Sequence, residues 1–241
     1  MIVPKASDAI HKAWLCRILS GVSSHPFLVQ KLGFKGGTCA ALRGILDRFS
    51  VDLDFDLLDE EDNKEVQKHL EILFKQLGLK INDHSKKVPQ YFLKYPNKAG
   101  QRNTIQFDVS FPHPRSNDYE KIRFLEIDRI VQCQTIPTMF ANKLVAVMER
   151  FQQYGSLAGR DVYDIHHFFL QGFSFKEAII EERTGKSSKL FLAKLRDFIS
   201  EHFNQAIIDQ DLNVLLTPER FHKLRPFILQ ETLNFLDSIT S

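Results

Sequence analysis

Between Val51 and Leu58 apolar and acidic residues alternate without a break. Val51, Leu53, Phe55 and Leu57 fall on one side, and Asp52, Asp54 and Asp56 on the other. A period of two describes a strand with one buried face. Asp is disfavoured in strands, and carboxylates spaced roughly 7 Å along one face repel and gain nothing structurally. The row is either a solvent-facing surface or a place where negative charge is wanted. The segment 104–111, TIQFDVSF, alternates in the same way, with Ile105, Phe107 and Val109 on one face. Asp108 is on the other, flanked by Gln106 and Ser110. If the two strands are neighbours, Asp108 comes close to Asp52 and Asp54. Three carboxylates about 4–5 Å apart repel by about 1–4 kcal/mol per pair at effective dielectric constants of 80 to 20. A site that gathers them needs a divalent cation, and hard oxygen ligands select Mg2+ or Mn2+ over zinc.

Just upstream stand Gly36, Gly37 and Thr38, followed by a helical run, CAALRGIL. Two glycines let a backbone come close to a ligand because no Cβ intervenes. A helix N-terminus then offers free N–H groups to a phosphate. By itself Gly-Gly-Thr also reads as a turn with an N-cap. Beside an acidic strand, the combination describes a nucleotide site.

The rest of the chain sets the architecture. Ser7 is placed to cap a helix through Ala9, Ile10, Ala13, Trp14 and Ile18. Glu60 to Leu77 has helical spacing and stops at Gly78. Leu79–Asn82, Tyr91–Tyr95 and Ile122–Ile127 read as further strands, with a turn at Asn97–Gly100. After Pro137 only helices follow: one through Phe140, Leu144, Val145 and Met148, then one from about Arg160, then Ser174–Arg183, Ser187–Phe203 and Thr217–Leu236. The pattern predicts an α+β fold, with an α/β core over residues 1–136 and a helical domain over 137–241.

Composition bounds the function classes. The chain has 241 residues and is 43% hydrophobic, enough for a real core. Its 21 Phe against 5 Tyr and 1 Trp should be mostly buried. A net charge of +2 does not advertise a nucleic-acid coat protein and leaves room for a local basic patch. Cys16, Cys39 and Cys133 form no CxxC pair and no zinc pattern, which suits a reducing compartment. The start lacks a secretory pattern, and no apolar run approaches the roughly 20 residues of a membrane span. A cytoplasmic protein with no membrane partner is expected.

These residues resemble the nucleotidyltransferase superfamily, and more closely its AbiEii/AbiGii toxin-like branch. That branch looks like Gly-Gly-Thr, a helix, then Arg-x-Ser-x-Asp-hydrophobic-Asp-Phe. Here Gly36, Gly37 and Thr38 are followed by Arg48, Ser50, Asp52, Leu53, Asp54 and Phe55. The branch also has a Lys-Leu-x-Ala helix followed by Arg-Asp-x-Tyr-Asp. Here these are Lys143, Leu144, Ala146 and Arg150, then Arg160, Asp161, Tyr163, Asp164 and Ile165. The resemblance implies a nucleotidyltransferase-like mixed sheet with flanking helices and a C-terminal helical lobe that completes the active site. It implies transfer of a nucleoside monophosphate from an NTP to an acceptor hydroxyl, with release of pyrophosphate.

By the same resemblance, Asp52 and Asp54 hold two metal ions and the triphosphate. Asp108 helps bind the catalytic ion and accepts the acceptor's proton. Gly37 and Thr38 contact the triphosphate, and Lys143 supplies a point charge for phosphate. Asp161 orients Lys143 or the acceptor, with Asp164, Arg48 and Ser50 as secondary candidates. Asp56, further along the same strand face, is secondary, and solvated surface is the favoured reading for it. His166 and His167 point apart on a helix and His113 lies in a loop, none with a role.

The acceptor implied is RNA, plausibly tRNA, for the toxin of a toxin–antitoxin pair, with the antitoxin as protein partner. Basic residues placed to guide such a backbone are Lys86, Lys87, Lys94, Lys98, Arg102 and Arg115, and further along Lys186, Lys189, Lys194 and Arg196. Their alternative is an ordinary solvated lysine population. Transfer to a small molecule or a protein, or a catalytically silent nucleotide-binding module, are the rival readings.

Overall fold

The computed structural model describes residues 1–85 and 87–240, so Lys86 lies outside the described residues. The chain divides into two compact units, one of residues 1–113 with 119–134 and one of 114–118 with 135 onward.

The first unit is built on a seven-stranded mixed sheet. Its elements in chain order are α1 (Asp8–Ser24), α2 (Leu28–Lys31), β1 (Leu32–Lys35), α3 (Gly36–Leu42), β2 (Leu53–Leu57), α4 (Asn63–Gln76), β3 (Lys80–His84), β4 (Gln90–Lys94), β5 (Thr104–Ser110), β6 (Tyr119–Phe124) and β7 (Arg129–Gln134). The strand order is β3-β4-β5-β2-β1-β7-β6. β2 runs parallel to β5 and antiparallel to β1, while β1 runs parallel to β7.

The alternation of the sequence becomes two faces. Leu53, Phe55, Leu57, Ile105, Phe107, Val109, Tyr91 and Leu93 are all buried. Phe107 stacks on Phe55 with ring centroids 5.0 Å apart and meets Phe74 of α4 edge-on at 5.2 Å. The other face carries Asp54, Asp108, Gln106, Gln90 and Ser110.

Two strands, β1 and β7, escape sequence reading. β1 is only four residues long, and its Gly33 is required because a Cβ there would meet the Tyr119 ring at 2.4 Å. Ser7 makes no side-chain cap; α1 begins at Asp8 with Ser7 already in helical geometry. The helix expected from Glu60 starts as a single 3-10 turn capped by Asp59, and α4 proper begins at Asn63.

The second unit consists of α5 (Ile136–Tyr154), α6 (Gly159–Leu170), α7 (Glu177–Thr184), α8 (Ser188–His202), α9 (Gln205–Leu215), α10 (Pro218–Leu224) and α11 (Ile228–Thr240). α6 is the central helix, packed against α5, α9 and α11. Its residues from Asp161 to Phe168 are all buried. Gly159 permits this, since a Cβ there would lie 2.5 Å from the Ile207 carbonyl oxygen of α9. α9 was not expected; it is capped by Asn204, whose Oδ1 accepts from the Ile207 amide at 3.1 Å. The single helix expected over 217–236 is two, α10 and α11, divided around Pro226, which lacks the N–H a continuing helix needs. His166 and His167 are both buried, and His166 Nε2 is 2.6 Å from Glu231 Oε2 of α11.

One buried group ties α1 to the start of β2. The His11 ring lies between the Val51 carbonyl, 2.8 Å from Nε2, and the Tyr95 hydroxyl, 2.7 Å from Nδ1. A carbonyl only accepts, so Nε2 carries a proton; the Tyr95 hydroxyl donates its single proton to the Arg102 carbonyl at 2.7 Å. Burial lowers the His11 pKa from 6.5 to about 4. The unfolded chain therefore binds this proton on acidification before the folded protein does, and stability falls from pH 6.5 down to about 4. Between pH 7 and pH 5 the loss from this group should be about 2 kcal/mol. Melting curves at the two pH values test it: His11→Gln keeps a donor and an acceptor and should show a smaller acid loss than the wild type.

Candidate active site

The sheet register assembles a row of four side chains on the polar face. Lys35 of β1 is opposite Asp54 of β2, Asp54 is opposite Asp108 of β5, and Asp108 is opposite Gln90 of β4. Neighbouring strands are about 4.8 Å apart, so the two carboxylates face the same solvent volume at a separation of that order. Asp52 lies one residue ahead of β2 and is half-buried. Among the described residues no three His, Cys, Asp or Glu side chains are drawn together closely enough to hold an ion by themselves. The expected trio is therefore a registered pair, Asp54 and Asp108, with Asp52 at the strand's entrance. The reason is register: β2 pairs with β5 only from Leu53 onward.

Asp108 is the unusual member of the pair. Its Oδ2 accepts from Gln106 Nε2 at 2.7 Å. Its Oδ1 is buried and has no hydrogen-bond partner among the described residues. Burial pushes its carboxyl pKa above the ordinary value, against the amides of Gln106 and Gln90 and the charge of Lys35. An unsatisfied buried carboxylate oxygen costs free energy unless something fills it. Mg2+ is typically held by one or two carboxylates, its own waters and substrate phosphates. Two hard oxygen donors in one row, one of them lacking a partner, fit that ion.

The glycine turn serves this pair differently from the sequence expectation. Gly36 has φ +77°, and a Cβ on it would lie 2.3 Å from Asp54 Oδ2. A Cβ on Gly37 would lie 2.8 Å from an Arg48 guanidinium nitrogen and 2.9 Å from Ser50 Oγ. The glycines thus make room for the protein's own carboxylate and its supports.

Thr38 is fully buried. Its hydroxyl donates to the Asp52 carbonyl at 2.5 Å and accepts from Ser50 Oγ at 2.9 Å. A threonine so engaged clamps the turn to the acidic strand. Arg48 and Ser50 are buried behind it, with Arg48 donating to the Phe49 carbonyl at 2.9 Å. The Arg-x-Ser spacing is thereby explained as support for the turn.

Asp56 is not solvated surface. It is 1% exposed and accepts from Lys35 Nζ at 2.7 Å, the Tyr119 hydroxyl at 2.8 Å and Gln134 Nε2 at 2.6 Å. Lys35 also reaches Ser110 Oγ at 2.5 Å. Sequence reading missed Lys35 as part of the acidic face; the only signal was its place immediately before Gly36.

In the second unit, Lys143 of α5 pairs with the fully buried Asp164 of α6 at 2.8 Å and is 3.9 Å from Asp161. Asp161 instead accepts from Arg150 Nε at 2.9 Å. Asp164, ranked second by sequence, is thus the nearer carboxylate to Lys143. Val147, one turn after Lys143, is buried.

A family model described as the nucleotidyl transferase AbiEii toxin of type IV toxin–antitoxin systems matches residues 17–232. The chain belongs to the AbiEii nucleotidyltransferase toxin family. It is accordingly a nucleotidyltransferase. Similar solved structures share its fold at low identity. A candidate nucleotidyltransferase from H. pylori is 17% identical with TM-score 0.58, over 98% of each chain. JHP933 from Helicobacter pylori is 17% identical with TM-score 0.55, over 99% of this chain and 97% of that one. MenT4, a nucleotidyltransferase toxin from Mycobacterium tuberculosis, is 18% identical with TM-score 0.56, over 97% and 86%. No curated protein matches the chain in sequence. Among the described residues no helix is long and apolar enough to cross a membrane.

The turn generates a direct test. Gly36→Ala would combine a left-handed backbone with an overlap on the Asp54 carboxylate. It should cost at least about 2 kcal/mol of stability, read by denaturant unfolding, and should abolish transfer even below the melting temperature.

Proposed function

We propose that this AbiEii-family enzyme moves a nucleoside monophosphate from an NTP to a hydroxyl of RNA, with tRNA as the expected class and a cognate antitoxin protein as its cellular partner. The observation that supports this reading best is the Asp54–Asp108 pair with its unpartnered buried oxygen beside the glycine turn.

In this reading Asp54 and Asp108, with Asp52, hold Mg2+ or Mn2+. The ion, when bound, polarises phosphoryl oxygens and neutralises charge on the leaving group. The acceptor oxygen forms a bond to the α-phosphorus, the bond from that phosphorus to the β-bridging oxygen breaks, and pyrophosphate departs. The Asp108 carboxylate takes the hydroxyl proton as general base. Gly36 and Gly37 keep the turn close to Asp54, and Thr38, Ser50 and Arg48 hold it there. Lys35, fixed by Asp56, offsets part of the negative charge of the row.

From the helical unit, Lys143 supplies the ammonium for phosphate. Asp164 holds it, and Asp161 acts through Arg150. This part of the proposal rests on family membership. A cytoplasmic location agrees with an NTP-consuming toxin.

The test incubates purified protein, Mg2+ and each α-labelled NTP with total RNA. Label should enter the tRNA band and be absent with Asp54→Ala. Label confined to protein or a small molecule would overturn the RNA acceptor.

A second measurement isolates the ion. Asp108→Asn removes a buried charge and one like-charge repulsion, so its metal-free melting temperature should rise by about 2–4 °C. Mg2+ should raise the melting temperature of the wild type and not that of this variant. A fall in the metal-free value would count against the site.

A further inference from the structure

The polar face of the sheet does not end at the carboxylates. Gln90 is opposite Asp108, Phe92 opposite Gln106, and Lys94 opposite Thr104. One strand further out, Lys80 of the edge strand β3 is opposite Lys94. Paired residues share a face, and Gln106 already reaches Asp108 on it. Moving from Asp108 across one strand and two residues along leads to Phe92, roughly 8 Å away by sheet spacing. Another two residues lead to Lys94 and Lys80, both exposed.

Phe92 is an exception among mostly buried phenylalanines: it is 37% exposed, on the side of β4 opposite the buried Tyr91 and Leu93. An aromatic ring lying open on a sheet costs apolar exposure unless it has a flat partner.

Charge is segregated at the same place. Residues 80–104 contain the basic side chains of Lys80, Lys86, Lys87, Lys94, Lys98 and Arg102 against the single acid Asp83. The whole chain carries only +2, so the remainder is net negative. Phe92 stands between Gln106 of β5 and Asp83 of β3, with Lys94 two residues further along β4 and Lys80 opposite it. An exposed aromatic on a sheet with lysines beyond it has the chemistry that stacks a base and follows a phosphate backbone.

We propose that β4 and β3 form the acceptor track of this enzyme: a single-stranded polynucleotide stacks a base on Phe92 and carries its phosphates past Lys94 and Lys80, with its end directed at Asp54 and Asp108. The direction of the strand rests on the nucleotidyl-transfer reading; the binding itself does not. Phe92 is a binding residue and has no part in the bond-making step. Stacking makes the track tolerant of sequence, because every base offers a flat face.

The experiment measures binding of a fluorescein-labelled single-stranded oligoribonucleotide of about ten residues, without NTP or Mg2+, across a salt series. Phe92→Leu should weaken binding about tenfold with an unchanged salt slope, and Phe92→Tyr should restore it. The double variant Lys80→Gln, Lys94→Gln should lower the slope of log affinity against log salt by about 1.4. NTP binding, followed by NTP-induced thermal stabilisation with Mg2+ present, should be unchanged in all three proteins, which also shows that they fold. Wild-type RNA affinity and slope in Phe92→Leu and in the lysine double variant would overturn the track while leaving nucleotidyl transfer standing. Loss of RNA binding in these variants alongside a wild-type protein that binds no NTP would uphold the track and overturn the transfer reading.

Discussion

Like-charge repulsion between Asp54 and Asp108 is the constraint around which the first unit is organised. Parallel pairing of β2 with β5 sets the two carboxylates side by side, at a cost of about 1–3 kcal/mol at effective dielectric constants of 80 to 20. Nothing in the fold of a simple sheet calls for this. Its surroundings are arranged to hold it. The apolar faces of the same strands pack Phe55 on Phe107, which fixes the register. Lys35 stands on the flank of the row, held by an Asp56 that is itself saturated by Tyr119 and Gln134. The glycine turn presses on Asp54 from one side, and the Thr38–Ser50 clamp ties the turn to Asp52, one residue ahead of the strand.

The clamp shows why an active-site motif contains residues that need not touch a ligand. Gly36, Gly37, Arg48 and Ser50 are spread over a turn, a helix and a loop, yet three of their side-chain or backbone surfaces meet within ordinary contact distance. His11 extends the same support one layer deeper, because it holds the carbonyl of Val51 immediately before Asp52. Its neutrality under ordinary conditions connects proton binding to the stability of the strand that bears the acids.

The helical unit follows a parallel logic with opposite means. Its charged residues are paired, not crowded: Lys143 with Asp164, Arg150 with Asp161. Buried ion pairs of this kind hold side chains in one geometry more than they add stability. α6 can carry two buried carboxylates only because Lys143 and Arg150 of α5 meet them, and it can sit centrally only because Gly159 admits the backbone of α9.

The sequence alone determined the periodicities, the two-part organisation of strands then helices, and the motifs that carry family membership. Each of these is local: alternation names a face, and spacing names a turn or a helix side. It did not determine which acids become neighbours, because strand pairing joins residues 54 and 108 through contacts that neither segment encodes by itself. For the same reason Asp56 read as surface and proved buried, and Asp164 read as secondary and proved the nearer partner of Lys143. Pro226, visible in the sequence, divided a helix whose apolar spacing ran straight through it. Tertiary structure decided burial and partnership, since both depend on what the far parts of the chain bring to a face, and a face is all that a local pattern defines.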